Sequence, residues 1–141
     1  MFTFAREIVI EWGDCDPAGI VFYPRYFAMF NQSTALLFEA ATGMTGFEIM
    51  REHDIIGWPM VDTRARFLRP SRFDDRIRIE TRIADLRRSS FDIEHRVTKD
   101  GELAIEASET RVWSARDPDD PSRIRSLPIH EDLRRALLVR F

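Results

Sequence analysis

Residues 24–43 read PRYFAMFNQSTALLFEAATG. Side chains that can face a protein core recur in this stretch at intervals of three and four residues, as they do on one face of an α-helix. Proline is well tolerated in a first helical turn, here at Pro24, and a glycine such as Gly43 commonly ends a helix. The spacing therefore predicts one helix of about five turns. The members of the repeat are Phe27, Phe30, Thr34, Leu37 and Ala41.

Segments in which polar and apolar residues alternate flank this helix on both sides. Each segment keeps its apolar side chains on one parity, which is typical of an antiparallel sheet with one covered face. Two shorter helices are predicted, one over Thr45–His53 with Thr45 as its cap and the other over His130–Val139. The predicted strands cover residues 2–12, 57–70, 76–83, 91–97 and 102–114.

The order of one strand, one long helix and four further strands predicts an α+β protein of the hot-dog type. In that arrangement an antiparallel sheet of about five strands wraps around one long central helix. The length of 141 residues fits a single domain, residues 1–141. Such a sheet keeps two edge strands, and proteins usually cover or pair their edges. We therefore expect a homodimer, with a homotetramer as the alternative.

The composition excludes several classes of protein. Hydrophobic residues make up 44% of the chain and charged residues 32%, with a mean hydropathy of -0.31, as in a folded globular protein. The net charge of -3 is too balanced for a general nucleic-acid binder. No signal segment and no membrane span are evident in the sequence. The single cysteine, Cys15, rules out an internal disulfide, so we expect a cytoplasmic protein. From the net charge and the lack of an apolar span, we expect no nucleic-acid or membrane partner.

Motifs of several common catalytic chemistries are missing. The chain has no nucleophile elbow, phosphate-binding loop, dinucleotide fingerprint or zinc-binding helix motif. Its three histidines, His53, His95 and His130, fall on separate predicted elements without ligand spacing. Cys15 lies between two aspartates, which oppose formation of a thiolate. We therefore expect no metal, no cofactor and no cysteine nucleophile.

Two aspartates lie in the turn-forming segment 13–19, just before the long helix. The N-terminus of that helix, near Tyr23, offers unpaired backbone N–H groups and a positive dipole end that can stabilise an oxyanion. A neighbouring carboxylate such as Asp16 can act as a nucleophile or as a general base towards water. The alternative is that Asp14 and Asp16 only form Asx turns, and the spacing leaves this open.

Residues 13–26 read GDCDPAGIVFYPRY and resemble the active-site segment of the 4-hydroxybenzoyl-CoA thioesterase family, which has the hot-dog fold. The resemblance implies that Asp16 attacks the thioester or activates water, and that the backbone N–H of Tyr23 binds the thioester oxygen. Asp14 is then expected to be structural. The similarity covers most of the chain to about residue 112, through residues 57–59, 67–75 and 87–91.

Adjacent arginines, Arg87 and Arg88, are more often a solvated hairpin than a ligand site. The resemblance instead implies that this strand connection binds the phosphates of the CoA nucleotide, for which guanidinium groups are well suited. Ser89 stands where a family member that acts on an aryl-CoA has lysine, so the cluster is one charge short. Trp58 is expected either to line the acyl pocket or to belong to the core. Further substrate contacts are expected from Gly19, Arg123 and Arg125.

The function that these features favour is hydrolysis of an aromatic or short-chain acyl-CoA to CoA and the free acid. One alternative is a non-catalytic hot-dog module that binds acyl-CoA, although Asp16 argues against it. Another is a thioesterase whose donor is an acyl carrier protein. Two further carboxylates on the predicted helices, Glu39 and Glu48, are expected to be surface residues.

Overall fold

A computed structural model describes residues 1–139 of the chain, so the last two residues of the expected domain, 140 and 141, lie outside the described part. No helix in the described part is long and apolar enough to span a membrane. The elements, in chain order, are β1 (Thr3–Val9), a 3-10 helix (Trp12–Asp14), α1 (Pro24–Thr42), α2 (Gly46–His53), β2 (Met60–Phe67), β3 (Arg76–Leu86), β4 (Ser90–Lys99), β5 (Glu102–Val112), β6 (Ser114–Arg116), β7 (Ile124–Ser126) and α3 (Glu131–Leu138).

The main sheet has five strands in the order β1-β3-β4-β5-β2, and every neighbouring pair is antiparallel. Helix α1 packs on one face of this sheet, which confirms the predicted α+β hot-dog fold. Strands β6 and β7 form a separate small hairpin that the sequence did not predict. Three residues per strand are too few to show an alternating pattern.

Helix α1 begins and ends where the sequence predicts. Pro24 occupies its first turn, and Gly43 ends it in the left-handed conformation, with φ of 74°. The buried face differs slightly from the predicted stripe, because Phe27 is only half-buried whereas Tyr26 is buried. Buried Phe38 packs against the ring of Trp58, and the two ring centroids are 4.5 Å apart.

The core consists of two clusters along α1. The second half of the helix packs with α2, Trp58 and Phe91, and its first half packs with Val21 and the start of β3. The backbone N–H of Val21 also donates to the carbonyl oxygen of Ser71, at 2.9 Å. These contacts hold the loop before α1 against the end of the sheet where β3 begins.

Strands β1 and β2 form the two edges of the sheet. Phe67, at the end of β2, pairs in register with buried Ile105 and so faces the same side as that residue. It is nevertheless 48% exposed, and Val61 on the same strand is 62% exposed. Among residues 1–139, the β2 edge therefore combines an unpaired strand backbone with uncovered apolar side chains.

Candidate active site

The loop between the 3-10 helix and α1 holds the carboxylate of Asp16. The Ala18 N–H donates to Asp16 Oδ1 at 2.8 Å, and the Gly19 N–H donates to the Asp16 carbonyl oxygen at 2.9 Å. Gly19 adopts a φ of 82°, which favours glycine. The Asx turn is therefore present, yet Oδ2 of Asp16 has no hydrogen-bond partner within residues 1–139.

Asp16 is half-buried and borders an open pocket of about 500 Å³. Two aromatic rings, those of Trp12 and Phe73, stand at its wall with centroids 5.7 Å apart in an edge-to-face arrangement. Gly19 and Arg72 also line the pocket around the carboxylate. A ligand can therefore approach the open oxygen of Asp16 from solvent.

Tyr23 is the residue that precedes the first turn of α1. Its backbone N–H has no acceptor among the described residues, whereas the N–H groups of Arg25 and Tyr26 donate to the carbonyl oxygens of Phe22 and Tyr23. Pro24 has no N–H to offer. The Tyr23 N–H is therefore the open donor at the positive end of the helix dipole, and this geometry suits a developing oxyanion.

Asp14 differs from Asp16 in that both of its carboxylate oxygens face partners. The Glu11 N–H donates to Asp14 Oδ2 at 2.9 Å, and Arg25 Nε lies 3.7 Å from Oδ1. This carboxylate thus closes the turn that begins at Trp12 and links it to the first turn of α1. The contacts agree with the structural role expected for Asp14.

The two arginines of the β3–β4 connection differ in the same way. Arg87 donates to the carboxylates of Asp85 and Asp92 at 2.7 Å each, and its Nε donates to Ser90 at 2.9 Å. The hydrogen bond to Asp92 raises the pKa of Arg87 and holds the pKa of Asp92 below its usual range. Arg88 is exposed and has no carboxylate partner in the described part of the chain.

The structure does not bring Asp16 and Arg88 together within one chain. Asp16 lies at the end of the sheet where β3 begins, and Arg88 follows the last residue of that 11-residue strand by two positions. At about 3.3 Å per residue the strand alone separates the two ends by roughly 30 Å. An acyl-CoA that contacted both within one chain would therefore have to span roughly 30 Å.

The remaining predicted contacts lie at the Arg88 end or in the core. Arg123 faces Asp120, with 3.6 Å between Nε and Oδ2, and Arg125 is exposed on β7. Trp58 is only 8% exposed and stacks on Trp113 with centroids 5.9 Å apart, so it belongs to the core. It also borders a pocket of about 520 Å³, as a wall of an acyl site would.

A buried polar cluster under α1 was not predicted. Glu109 accepts hydrogen bonds from Thr34 Oγ1 at 2.6 Å and from Arg111 Nε at 2.8 Å, and His95 Nε2 lies 3.4 Å from its other oxygen. Burial raises the pKa of Glu109, but His95 and Arg111 outweigh this effect and leave the pKa below its usual value. The signal was present in the sequence, since Glu109 and Arg111 share the parity of buried Ile105.

Within residues 1–139 no three His, Cys, Asp or Glu side chains are grouped as metal ligands. The chemistry that the site offers rests on a carboxylate with one open oxygen and a helix N-terminus with an open N–H donor. On a hot-dog fold, these two features define a protein suited to acyl transfer.

The chain belongs to the Thioesterase-like superfamily, whose family model matches residues 10–137. It is 34% identical over 128 residues to 4-hydroxybenzoyl-CoA thioesterase of Pseudomonas sp. strain CBS-3. The aligned residues make up 87% of this chain and 89% of that protein. The solved structure of that enzyme superposes with a TM-score of 0.88 at 31% identity, over 96% of this chain and 99% of that chain.

A second solved structure, of a gentisyl-coenzyme A thioesterase, superposes with a TM-score of 0.77 at 29% identity, over 95% of this chain and 98% of that chain. The chain is also 27% identical over 101 residues to 1,4-dihydroxy-2-naphthoyl-CoA hydrolase of Synechococcus elongatus, which covers 70% of this chain and 71% of that protein. These similarities confirm the thioesterase family predicted from residues 13–26 and the hot-dog fold predicted from the order of the elements.

Proposed function

We propose that the protein is a cytoplasmic thioesterase that hydrolyses an aromatic acyl-CoA to CoA and the free acid. The observation that carries this proposal is the open Oδ2 of Asp16 on the loop that leads to the open Tyr23 N–H. The relatives named above act on 4-hydroxybenzoyl-CoA, gentisyl-CoA and 1,4-dihydroxy-2-naphthoyl-CoA, all of which carry an aromatic acyl group. This common feature favours an aromatic over a short aliphatic acyl chain.

In the proposed reaction the thioester oxygen accepts a hydrogen bond from the Tyr23 N–H. The helix dipole and this donor stabilise the negative charge that develops on that oxygen. Asp16 then acts by one of two routes. It attacks the carbonyl carbon, expels the CoA thiolate and forms a mixed anhydride that water cleaves, or it takes a proton from a water molecule that attacks directly. Both routes consume one water and release CoA and the acid.

We propose that two copies pair along their β2 edges. Phe67 at one end of β2 contacts Tyr26 near the start of α1, with ring centroids 5.8 Å apart, and Met60 at the other end follows Trp58. Antiparallel pairing of two β2 strands about a two-fold axis places the Phe67 end of one copy beside the Met60 end of the other. Asp16 of one copy then adjoins the pocket that Trp58 borders in the other.

Light scattering tests this assembly. We expect a mass of at least twice 16.6 kDa, with a tetramer as the alternative to a dimer. A stable and active species of 16.6 kDa would contradict both the pairing of edges and the shared site.

We propose that the nucleotide of CoA lies at the β3–β4 connection. Arg88 supports this placement because its guanidinium is exposed and has no carboxylate partner within residues 1–139, and Ser89 lies beside it. Exposed Arg125 lies at the same end of the molecule and can add a second contact. Arg87 and Arg123 contribute less in this proposal, because each already faces an aspartate.

The proposed function is tested by comparing one aromatic acyl group on three carriers, namely CoA, pantetheine and an acyl carrier protein. We expect the acyl-CoA to give the highest kcat/KM and the acyl-pantetheine to be hydrolysed with a raised KM. Tight binding of the acyl-CoA without turnover would instead indicate a binding module. A preference for the carrier protein would indicate that the donor is not CoA.

A further inference from the structure

The pocket of about 520 Å³ beside Trp58 lies between α1, α2 and residues 56–59. Its walls are mainly apolar, with Trp58, Met50 and Ile56 among them, and its volume is in the range of small-molecule sites. One charged side chain, Arg111, reaches it from β5 and is only 5% exposed. The polar groups around Arg111 therefore determine what this pocket can recognise.

Three hydrogen bonds fix the Arg111 guanidinium. Its Nε donates to Glu109 at 2.8 Å, one Nη donates to the Trp58 carbonyl oxygen at 3.2 Å and the other donates to Asn31 Oδ1 at 2.9 Å. A guanidinium has five N–H donors, so two remain without an acceptor within residues 1–139. Because Oδ1 of Asn31 accepts from Arg111, the free end of this amide is its NH2 group, which is also a donor.

Two backbone acceptors along the same wall are already engaged. The carbonyl oxygens of Gly57 and Pro59 accept from the N–H groups of Ser114 and Val112 at 3.0 and 3.1 Å. Gln32 also borders the pocket, but it is exposed and no neighbour within residues 1–139 fixes its amide. The polar side chains that the structure holds in place at this pocket, Asn31 and Arg111, therefore present donors.

The charge of Arg111 is already balanced. Its partner Glu109 is 3% exposed, and the two side chains form an ion pair at 2.8 Å. A ligand that brought its own carboxylate would bury a second negative charge. No further cation is present among the residues that line the pocket to balance that charge. A neutral oxygen acceptor can use the open donors without this cost.

We propose that Asn31 and Arg111 make this pocket selective for an aromatic acyl group with a neutral hydrogen-bond acceptor at the end away from the thioester, such as an ether or a ring carbonyl. Glu109 acts as a positioning residue, because it holds Arg111 and, through Arg111, the Asn31 amide. The inference rests on the proposed function, with Asp16 supplied by a second copy of the chain.

The test compares substrates that differ only at the distal group. A methoxy and an ethyl substituent have nearly the same shape, but only the methoxy group has an acceptor oxygen. We expect kcat/KM for 4-methoxybenzoyl-CoA to exceed that for 4-ethylbenzoyl-CoA by roughly tenfold, and 4-carboxybenzoyl-CoA to be the poorest of the three. The Asn31→Asp variant replaces the donor NH2 by an acceptor oxygen, so the methoxy-to-ethyl ratio should fall towards one.

In the same variant the ratio of 4-hydroxybenzoyl-CoA to 4-methoxybenzoyl-CoA should rise, because a phenol can donate to the new acceptor. The matched control is Gln32→Glu, which makes the same type of change at a neighbouring position whose amide is not fixed. Its methoxy-to-ethyl ratio should stay within about twofold of the wild-type ratio.

Equal kcat/KM for the methoxy and ethyl substrates in the wild type would overturn this assignment while leaving the proposed function intact. A preference for 4-carboxybenzoyl-CoA would overturn the requirement for a neutral acceptor. If no aromatic acyl-CoA were hydrolysed at all, the proposed function would fall and this inference with it.

Discussion

Two turns that lie near opposite ends of β3 each contain two side chains of like charge. The turn before α1 contains two aspartates, Asp14 and Asp16, and the β3–β4 turn contains two arginines, Arg87 and Arg88. Asp14 and Arg87 are engaged by their neighbours, whereas within residues 1–139 Asp16 keeps one open oxygen and Arg88 has no carboxylate partner. Residue type therefore identifies the candidates, but the packing around each side chain separates the structural charge from the available one.

The engagement of Arg87 has a local cause. Asp85 and Asp92 are partners in the register of β3 and β4, and two like charges directly opposite each other destabilise a sheet. Arg87 reaches both carboxylates and neutralises this repulsion. Arg88 has no such pair within reach in the described part of the chain, so its charge remains available to a ligand.

The largest expected effect separates the two aspartates. Asp16→Asn keeps an oxygen that can accept from the Ala18 N–H, so the turn should persist, but the amide cannot serve as base or nucleophile. We expect kcat to fall by on the order of 10²-fold or more, while the acyl-CoA still binds. Steady-state kinetics with the best aromatic acyl-CoA, together with a binding titration, measure both quantities.

Asp14→Asn is the matched control for this prediction. It weakens the closure of the turn at Glu11 and the contact with Arg25, so we expect a loss of stability of about 1 kcal/mol and a much smaller change in kcat. Turnover by Asp16→Asn at the wild-type rate would show that the open carboxylate is not the catalytic group. The contrast between the two aspartates would then lose its functional meaning.

The next effect separates the two arginines through KM. Arg88→Ala should raise KM for acyl-CoA by about fivefold and leave kcat nearly unchanged, because an exposed contact to phosphate contributes binding equally in the ground and transition states. Added salt should weaken the wild-type contact. An acyl-pantetheine, which lacks the nucleotide, should show no change in KM.

Arg87→Ala is the comparison variant, and its KM should change less than that of Arg88→Ala. If Arg87→Ala raised KM more, the nucleotide would have to displace Asp85 or Asp92 from Arg87. An equal loss of activity on acyl-CoA and acyl-pantetheine in Arg88→Ala would exclude a role confined to the nucleotide.

The sequence predicts most of the fold because its patterns are local. The boundaries of α1 follow from Pro24 and Gly43, and the strands follow from alternation and turn residues. The family follows from residues 13–26, a long segment with specific turn chemistry. Which charges pair across strands, as Arg87 does with Asp92, depends on register, and register is not visible in a single strand.

Two features of the site needed three-dimensional information. The separation of roughly 30 Å between the two ends of β3 becomes clear only once the strand is known to extend over 11 residues, from Arg76 to Leu86. The donors at the acyl pocket depend on Asn31, Glu109 and Arg111, which come from different elements. The sequence offered one indication of this cluster, because Glu109 and Arg111 are charged residues at positions of β5 that face the core.

A smaller effect concerns the stability that Arg87 provides. Arg87→Ala should lower the free energy of unfolding by about 0.5–1 kcal/mol, since the pairs are partly exposed and the two aspartates then face each other unshielded. Urea unfolding measures this difference. Arg88→Ala should leave the unfolding free energy unchanged within error, and an equal loss in both variants would erase the distinction between the two arginines.

The smallest effect is the pH dependence of that stability. The hydrogen bond from Arg87 lowers the pKa of Asp92, so the unfolded state binds a proton more readily than the folded state does. The resulting stabilisation is fully present above the ordinary pKa of an aspartate, about 4, and is lost as the pH falls through the lower pKa of the folded state.

Thr110 Oγ1 also donates to Asp92, at 2.8 Å, and this part of the effect survives in Arg87→Ala. The difference in unfolding free energy between the wild type and Arg87→Ala should therefore be constant near neutral pH and should narrow below pH of about 4. A difference that stayed constant down to pH of about 2 would show that Arg87 stabilises the turn through its contact with Ser90 and through packing, rather than through the charge of Asp92.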